Sequence, residues 1–321
     1  MNIQNNRLVS NATYRQTTKR LGLALVLFSV LFFALELVTD ACSNALPENI
    51  TREAELLVTG LAEGVCYLIS FLVPVWLILH LTPRGERYPL PFEVHWPRRA
   101  CLIIPAGLAV IHTAAVANDF LIRCFGWTTA GATVPYWVDG MPIYEVILLF
   151  LTSALIPAFC EELLFRGVVL SVLRPYGRTV AILGSAVLFS FMHQRADQLL
   201  YTAVAGAVLA YITLESHSLW GAMLLHLLNN ALSALKVVLY GTLVSGTAKV
   251  CYAAVEIVVI GVGLCCLAAF VAKASDRRTV YASEGRAPTR PVKDFLTWPM
   301  LIFLDISVVQ MVLLVILDVT R

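Results

Sequence analysis

Charged residues are scarce in this sequence. Only 14% of the 321 residues are Asp, Glu, Lys or Arg, and 59% are hydrophobic, whereas a soluble domain normally carries about 25% charged residues. This shortage excludes an ordinary water-soluble enzyme. The formal net charge of +2 is too small, and the basic residues are too dispersed, for nucleic-acid binding, so no nucleic-acid partner is expected.

Three common catalytic or metal-binding patterns are also absent. The sequence has no HExxH zinc motif, no GxSxG nucleophile elbow and no CxxC pair, and no Ser or Cys stands at an obvious nucleophile spacing from a His. Most of the eight cysteines lie in or beside apolar segments, where Cys is a small packing residue. A serine, cysteine or HExxH-type hydrolase is therefore not indicated.

Long apolar runs take the place of these patterns. Several are long enough to cross a hydrocarbon core, which needs about 20 helical residues, and lipid requires each spanning segment to pair its own backbone polar groups. We predict an all-α fold: a polytopic transmembrane bundle of about eight to nine helices with a four-helix catalytic core. The predicted spans are 21–38, 56–81, 100–122, 143–173, 179–192, 199–214, 219–239, 250–271 and 301–317.

Two interpretations fit the last predicted span. Segment 301–317 contains Asp305 and Gln310, so an interfacial amphipathic helix is an alternative to a span there. Lys and Arg are concentrated in alternate connections, which favours a cytoplasmic N-terminus.

We divide the chain into three parts. Residues 1–142 are N-terminal transmembrane helices, 143–240 are the catalytic core, and 241–321 are C-terminal helices with a polar linker at 273–299. The protein is expected to be an integral, multi-pass protein whose surroundings are the lipid bilayer.

Ionisable residues inside apolar spans are expensive and therefore mark functional sites. In span 143–173, Glu162 and Arg166 are one helical turn apart on the same face, with Glu on the favourable N-terminal side. Glu161 points about 100° away. A helix-stabilising ion pair accounts for Glu162 and Arg166, but it gives no structural reason for Glu161.

Two further polar clusters follow along the chain. His193 closes the short fifth span, where a capping or interfacial role is the simpler interpretation. His226 and Asn230 share one face of the seventh span, at positions i and i+4, and a packing hydrogen bond between helices would explain them. The three clusters together supply a carboxylate, two imidazoles and a carboxamide, a set suited to activating water and stabilising an oxyanion.

These clusters form motifs in a fixed order. Glu161-Glu162-x-x-x-Arg166, Phe189-x-x-x-His193 and His226-x-x-x-Asn230 resemble, in order and spacing, the motifs of the CAAX-protease and bacteriocin-processing intramembrane proteases. This family includes the eukaryotic type II CAAX prenyl endopeptidase, and the resemblance covers about 143–240.

The resemblance implies an intramembrane endopeptidase with Glu161 as the general base. It also implies that His193 helps to hold the attacked water or a metal, that His226 and Asn230 steady the oxyanion, and that Glu162 and Arg166 are a supporting pair. Zinc held by Glu161, His193 and His226 is one alternative, and a metal-free glutamate mechanism is the other.

The expected substrate is a membrane-associated or lipidated protein or peptide. A non-catalytic bacteriocin-immunity or maturation protein is the alternative function, and a proton-coupled transporter is a third. We expect the bacterial cell membrane as the location, or the endoplasmic reticulum membrane if the source is eukaryotic.

Two expectations depend on helix geometry. Glu161 lies about 27 Å along its helix from residue 143, whereas His193 ends its span near the opposite side, so the two cannot meet if both helices are straight and upright. Pro157 can kink the fourth span. Asn229 lies about 100° from Asn230 on the helix, so we expect it to matter little for the reaction.

Overall fold

The computed structural model describes residues 11–82, 90–93, 100–124, 141–274 and 295–319. Within these ranges the chain forms helices and no strand, which confirms the predicted all-α fold. The helices are α1 (Asn11–Asn44), α2 (Arg52–Leu81), α3 (Ala100–Cys124), α4 (Ile143–Leu173), α5 (Arg178–Met192), α6 (Leu199–Ser216), α7 (Leu219–Thr242), α8 (Ser245–Ala274) and α9 (Trp298–Val319).

Eight helices in the described ranges are long and apolar enough to cross a membrane, and α5 is the exception. The prediction of nine separate spans is therefore wrong in one place, because α5 has only 15 residues and reaches about 22 Å, less than a hydrocarbon core of about 30 Å. Helix α9 is one of the eight, so segment 301–317 has the length and composition of a span.

The short α5 resolves the conflict in depth between two predicted site residues. Helices α4 and α5 are joined by a tight turn at Arg174–Tyr176. Glu161 lies 12 residues before the end of α4, about 18 Å from the turn, and His193 lies about 22 Å from it along α5. Both residues therefore lie at a similar distance from this turn, because α5 is too short to cross a hydrocarbon core.

Helix α4 is irregular on both sides of the Glu161-Glu162 dipeptide. A π-helical segment precedes it at Leu151–Leu155 and a second follows at Leu163–Val169. The Ile156 N–H donates to Leu151 O, five residues back, immediately before Pro157, which has no N–H to donate. The expected disturbance at Pro157 thus takes the form of a wide helical turn, a feature common at functional sites.

Helices α5 and α6 form a closely packed antiparallel hairpin. A Cβ added to Gly206 in α6 would lie 2.9 Å from Ala186 Cα in α5, so only glycine permits this approach. Arg178 Nη2 donates to Glu215 Oε2 at 3.0 Å and joins the two helices at the end opposite His193. The hairpin fixes the depth at which α5 ends.

Two buried apolar clusters hold the helices of the bundle together. The larger one draws side chains from α1, α2, α4–α7 and α9, and the smaller one joins α3 to α6 and α7. The helices before and after 143–240 thus pack on this segment, while the division into three parts remains a prediction. Most of the predicted linker 273–299 lies outside the described residues.

We predict that Gly263→Ala destabilises the contact between α3 and α8. Its new Cβ would lie 2.3 Å from Pro105 O and 2.4 Å from Ala109 Cβ, so the helices must separate, at a penalty of about 1–3 kcal/mol. The measurement is the melting temperature in detergent. Gly261→Ala is the matched control, because nothing lies within 4 Å of its added Cβ, and an equal loss there would contradict the prediction.

Candidate active site

A fully buried ion pair lies at the centre of the site. Glu162 and Arg166 are both 0% exposed, and Arg166 Nη1 donates to Glu162 Oε1 at 2.9 Å. Arg166 Nη2 donates to Gly206 O at 3.2 Å, and its guanidinium carbon lies 4.3 Å from the centre of the Phe189 ring. One cation therefore ties α4 to α5 and α6, and the ion pair predicted from the i, i+4 spacing is present.

His226 is held by the same carboxylate. Its Nδ1 lies 2.8 Å from Glu162 Oε1, so Nδ1 carries the proton and donates it to the carboxylate. The ring is 5% exposed, and its Nε2 points towards Glu161, 4.0 Å from Oε2. The structure thus gives Glu162 a second role that sequence spacing did not reveal: it orients an imidazole from α7.

Glu161 faces a different set of neighbours from Glu162. Tyr67 on α2 donates its hydroxyl hydrogen to Glu161 Oε1, while Oε2 has no hydrogen-bond partner among the described residues. The carboxylate is 5% exposed and lines the cavity described below. Sequence reasoning missed Tyr67, although a tyrosine in the middle of an apolar span is itself a polar signal.

His193 is oriented through the backbone of its own helix. Its Nδ1 donates to Phe189 O at 2.8 Å, and the Phe189 ring packs edge to face against both His193 and His226, with centroids 4.8 and 6.0 Å away. The first residue of the Phe189-x-x-x-His193 motif thus contacts both imidazoles as well as Arg166. Hydrogen bonding at Nδ1 leaves Nε2 of His193 for the cavity.

Asn229 does not point away from the site as expected. Asn229 Nδ2 donates to Asn230 Oδ1 at 3.1 Å and to the hydroxyl oxygen of Tyr201 at 2.7 Å, and all three residues line the cavity. The expectation that Asn229 matters little assumed that only one face of α7 borders the site. That assumption is wrong, because the cavity is wide enough to reach both asparagines.

The cavity that connects these groups has a volume of about 1160 Å³. Glu161, His193, His226 and Asn230 line one part of it, and the rest is bounded by α3, α6, α7 and α8. Of the six predicted site residues, these four therefore face a common space, while Glu162 and Arg166 lie behind them and support them. This volume exceeds the several hundred Å³ of a typical small-ligand pocket.

The predicted zinc ligands Glu161, His193 and His226 all line this cavity. The described residues contain no group of three or more His, Cys, Asp or Glu side chains arranged to hold a metal ion. Glu161 and His226 approach each other through Oε2 and Nε2, but Glu161 Oε1 is already engaged by Tyr67. Glu161, His193 and His226 are therefore not assembled into a three-ligand zinc site in this arrangement.

We predict that Glu162→Gln destabilises the protein and that Glu161→Gln does not. Without the Glu162 charge, Arg166 is buried without its hydrogen-bonded counter-charge, and breaking such a pair costs about 3 kcal/mol or more. The measurement is thermal unfolding of both variants in the same detergent. Equal melting temperatures for the two variants would contradict this division of roles.

Two comparisons with known proteins agree with the motifs. Residues 143–232 match the family described as type II CAAX prenyl endopeptidase Rce1-like. A protein of Bacillus subtilis (strain 168), named "Putative membrane peptidase YdiL", is 26% identical over 180 residues, which cover 53% of this chain and 70% of that protein. No solved structure matches the chain.

The matched segment contains all seven residues of the three motifs, from Glu161 to Asn230. The resemblance seen in the motifs is therefore confirmed, and this multi-pass membrane protein is similar to the type II CAAX prenyl endopeptidase Rce1-like family over residues 143–232.

Proposed function

We propose that this protein is an intramembrane endopeptidase that hydrolyses peptide bonds with a water molecule activated by Glu161. One observation carries the proposal. The Oε2 of Glu161, which has no hydrogen-bond partner among the described residues, and the Nε2 of His226 lie 4.0 Å apart, and both residues line a large cavity. Two acceptors at this separation can both be reached by one water molecule at hydrogen-bond distances of about 2.8 Å.

The attacking group in this mechanism is the water oxygen. Water donates one hydrogen to Glu161 Oε2 and the other to His226 Nε2, which directs a lone pair towards the substrate carbonyl carbon. As the C–O bond forms, the proton passes to Glu161, which later delivers it to the leaving amine while the C–N bond breaks. Tyr67 holds the other Glu161 oxygen and keeps Oε2 aimed at the water.

The oxyanion is stabilised by α7 in this proposal. The Asn229 amide donates to Asn230 Oδ1, so the Asn230 carboxamide turns its NH₂ group away from Asn229. That NH₂ group has no hydrogen-bond partner among the described residues and belongs to a side chain that lines the cavity. Tyr201 accepts from Asn229 and can donate its own hydrogen to the cavity. Such donors stabilise a developing oxyanion more than a carbonyl.

The substrate is a peptide segment in the membrane or at its surface. The cavity is bounded largely by spanning helices and can hold several residues of a peptide chain. Cleavage of lipidated protein substrates follows from the relationship to the type II CAAX prenyl endopeptidases and is part of the proposal. A non-catalytic partner protein or a transporter would not release peptides from the membrane, which gives a direct test.

We predict that Glu161→Gln abolishes peptide release. Glutamine keeps the shape and the hydrogen bond with Tyr67 but cannot take a proton from water, and general-base catalysis contributes about 10²–10⁴-fold in rate. The measurement is mass spectrometry of peptides released from membranes that contain either the wild type or the variant. Peptides found only with the wild type identify the substrate.

The same experiment separates the alternatives. Glu63→Gln is a matched control, because Glu63 is also a glutamate within a membrane helix but does not line the cavity, and it should release the wild-type peptides. An identical peptide set from wild type and Glu161→Gln would refute the proposal. Zinc content and chelator sensitivity of the purified wild type distinguish a metal-dependent reaction from one that uses Glu161 alone.

We predict that Asn230→Ala lowers kcat by roughly 10²-fold, the effect of losing one oxyanion donor, with little change in KM. Asn229→Ala should lower kcat as well, by a smaller factor, because it releases Asn230 and Tyr201 from their fixed orientations without removing either donor. Steady-state cleavage of the identified peptide is the measurement. A larger defect in Asn229→Ala than in Asn230→Ala would contradict the assignment.

A further inference from the structure

A second polar pair lines the cavity on the side bounded by α3 and α8. His112 stands in the middle of α3 and is 5% exposed. Its Nδ1 lies 3.8 Å from Glu256 Oε1 on α8, and Tyr252 stands one turn before Glu256 on the same helix. All three side chains line the cavity that also contains Glu161 and His226.

A purely structural role does not account for this pair. Buried polar groups in native proteins are normally hydrogen-bonded, yet neither ring nitrogen of His112 has a hydrogen-bond partner among the described residues. The separation of 3.8 Å from Glu256 exceeds hydrogen-bond length. Moreover, α3 and α8 are already held together where Gly263 packs on Pro105 and Ala109. A polar pair is therefore not needed to join these helices.

Hydrolysis in this cavity imposes a requirement on the substrate. A peptide bond can be attacked only if its carbonyl is accessible, so the substrate must be locally extended instead of helical. Its backbone N–H and C=O groups then lose their helical partners in a water-poor environment, and each group left without a partner costs about 1–3 kcal/mol. A cavity wall that supplies both a hydrogen-bond donor and an acceptor to the peptide backbone removes this penalty.

We propose that His112 and Glu256 form a subsite that hydrogen-bonds the extended backbone of the peptide substrate at a distance from the scissile bond. The two nitrogens of the His112 ring are buried, so the ring rotates towards the cavity to donate to a backbone carbonyl, and the Glu256 carboxylate accepts from a backbone N–H. This inference rests on the proposed endopeptidase function and adds a substrate-binding site to it. The ligand class is an extended peptide chain, recognised through its main chain.

The subsite makes a testable prediction about individual backbone groups. The probe is the peptide identified by the membrane-release experiment, synthesised with a fluorophore and a quencher. In a series of analogues, each backbone N–H is replaced in turn by an ester oxygen, which removes one donor. For the wild type, we expect one position remote from the cleavage point at which the ester raises KM by roughly tenfold while kcat stays within about twofold.

Variants of His112 and Glu256 then test whether this pair binds the ester-sensitive position of the peptide. Glu256→Leu should raise KM for the all-amide peptide by a similar factor, and the ester at the sensitive position should add nothing further, because the acceptor is already gone. His112→Leu should raise KM for every analogue, and His112→Gln, which keeps a donor, should restore part of the affinity. Thr113→Leu is the matched control, since Thr113 is the next residue of α3, is exposed and does not line the cavity.

Several results would overturn the subsite. The first is that the ester and Glu256→Leu effects on KM multiply at every position of the peptide. The second is a fall in kcat with unchanged KM. The third is a change in KM for His112→Leu that is no larger than the change for Thr113→Leu. If the leucine variants do not fold, Glu256→Gln decides, because a neutral acceptor should reduce the tenfold ester effect to roughly threefold, and an unchanged effect rejects the subsite. Failure of the endopeptidase proposal looks different and shows earlier: membranes with the wild type and with Glu161→Gln then release the same peptides.

Discussion

The site depends on one buried carboxylate, Glu162. Its Oε1 accepts from Arg166 in the same helix and from His226 in α7, and Arg166 in turn donates to Gly206 in α6 and lies over Phe189 in α5. An isolated charge in this environment would be prohibitively expensive, so the four helices are bound to a single mutual arrangement. The residues that face the cavity take their positions from that arrangement.

The depth of the site follows from a second constraint, the length of α5. A helix of 15 residues is too short to cross a hydrocarbon core of about 30 Å, so its last turn ends well before the far end of the 31-residue α4. His193 can therefore stand beside Glu161 and His226 without a break in either neighbouring helix. The connection that follows is fixed by Asn118, whose side-chain Nδ2 donates to Asp197 O at 2.7 Å.

The polar groups of the cavity fall into two sets with different surroundings. Glu161, His226 and Asn230 are oriented by Tyr67, Glu162 and Asn229 respectively. Groups fixed in this way need little reorganisation as charge develops during a reaction. The two ring nitrogens of His112 have no hydrogen-bond partner among the described residues, which suits a residue that is completed by a ligand. The division is consistent with one part of the cavity performing chemistry and another binding the chain that reacts.

The sequence by itself determined the helical class, because apolar runs leave no other way to pair the backbone in lipid. It also indicated which residues belong to the site, because ionisable side chains are energetically costly in apolar helices and therefore mark functional positions. These residues are Glu161, Arg166, His193 and His226. Tertiary structure decided the rest. Tyr67, Asn229 and Tyr201 join the site through contacts across 94 and 28 residues of sequence, and the depth of His193 depends on where α5 ends. Spacing along one helix carries no information about such contacts, because they depend on how separate helices pack.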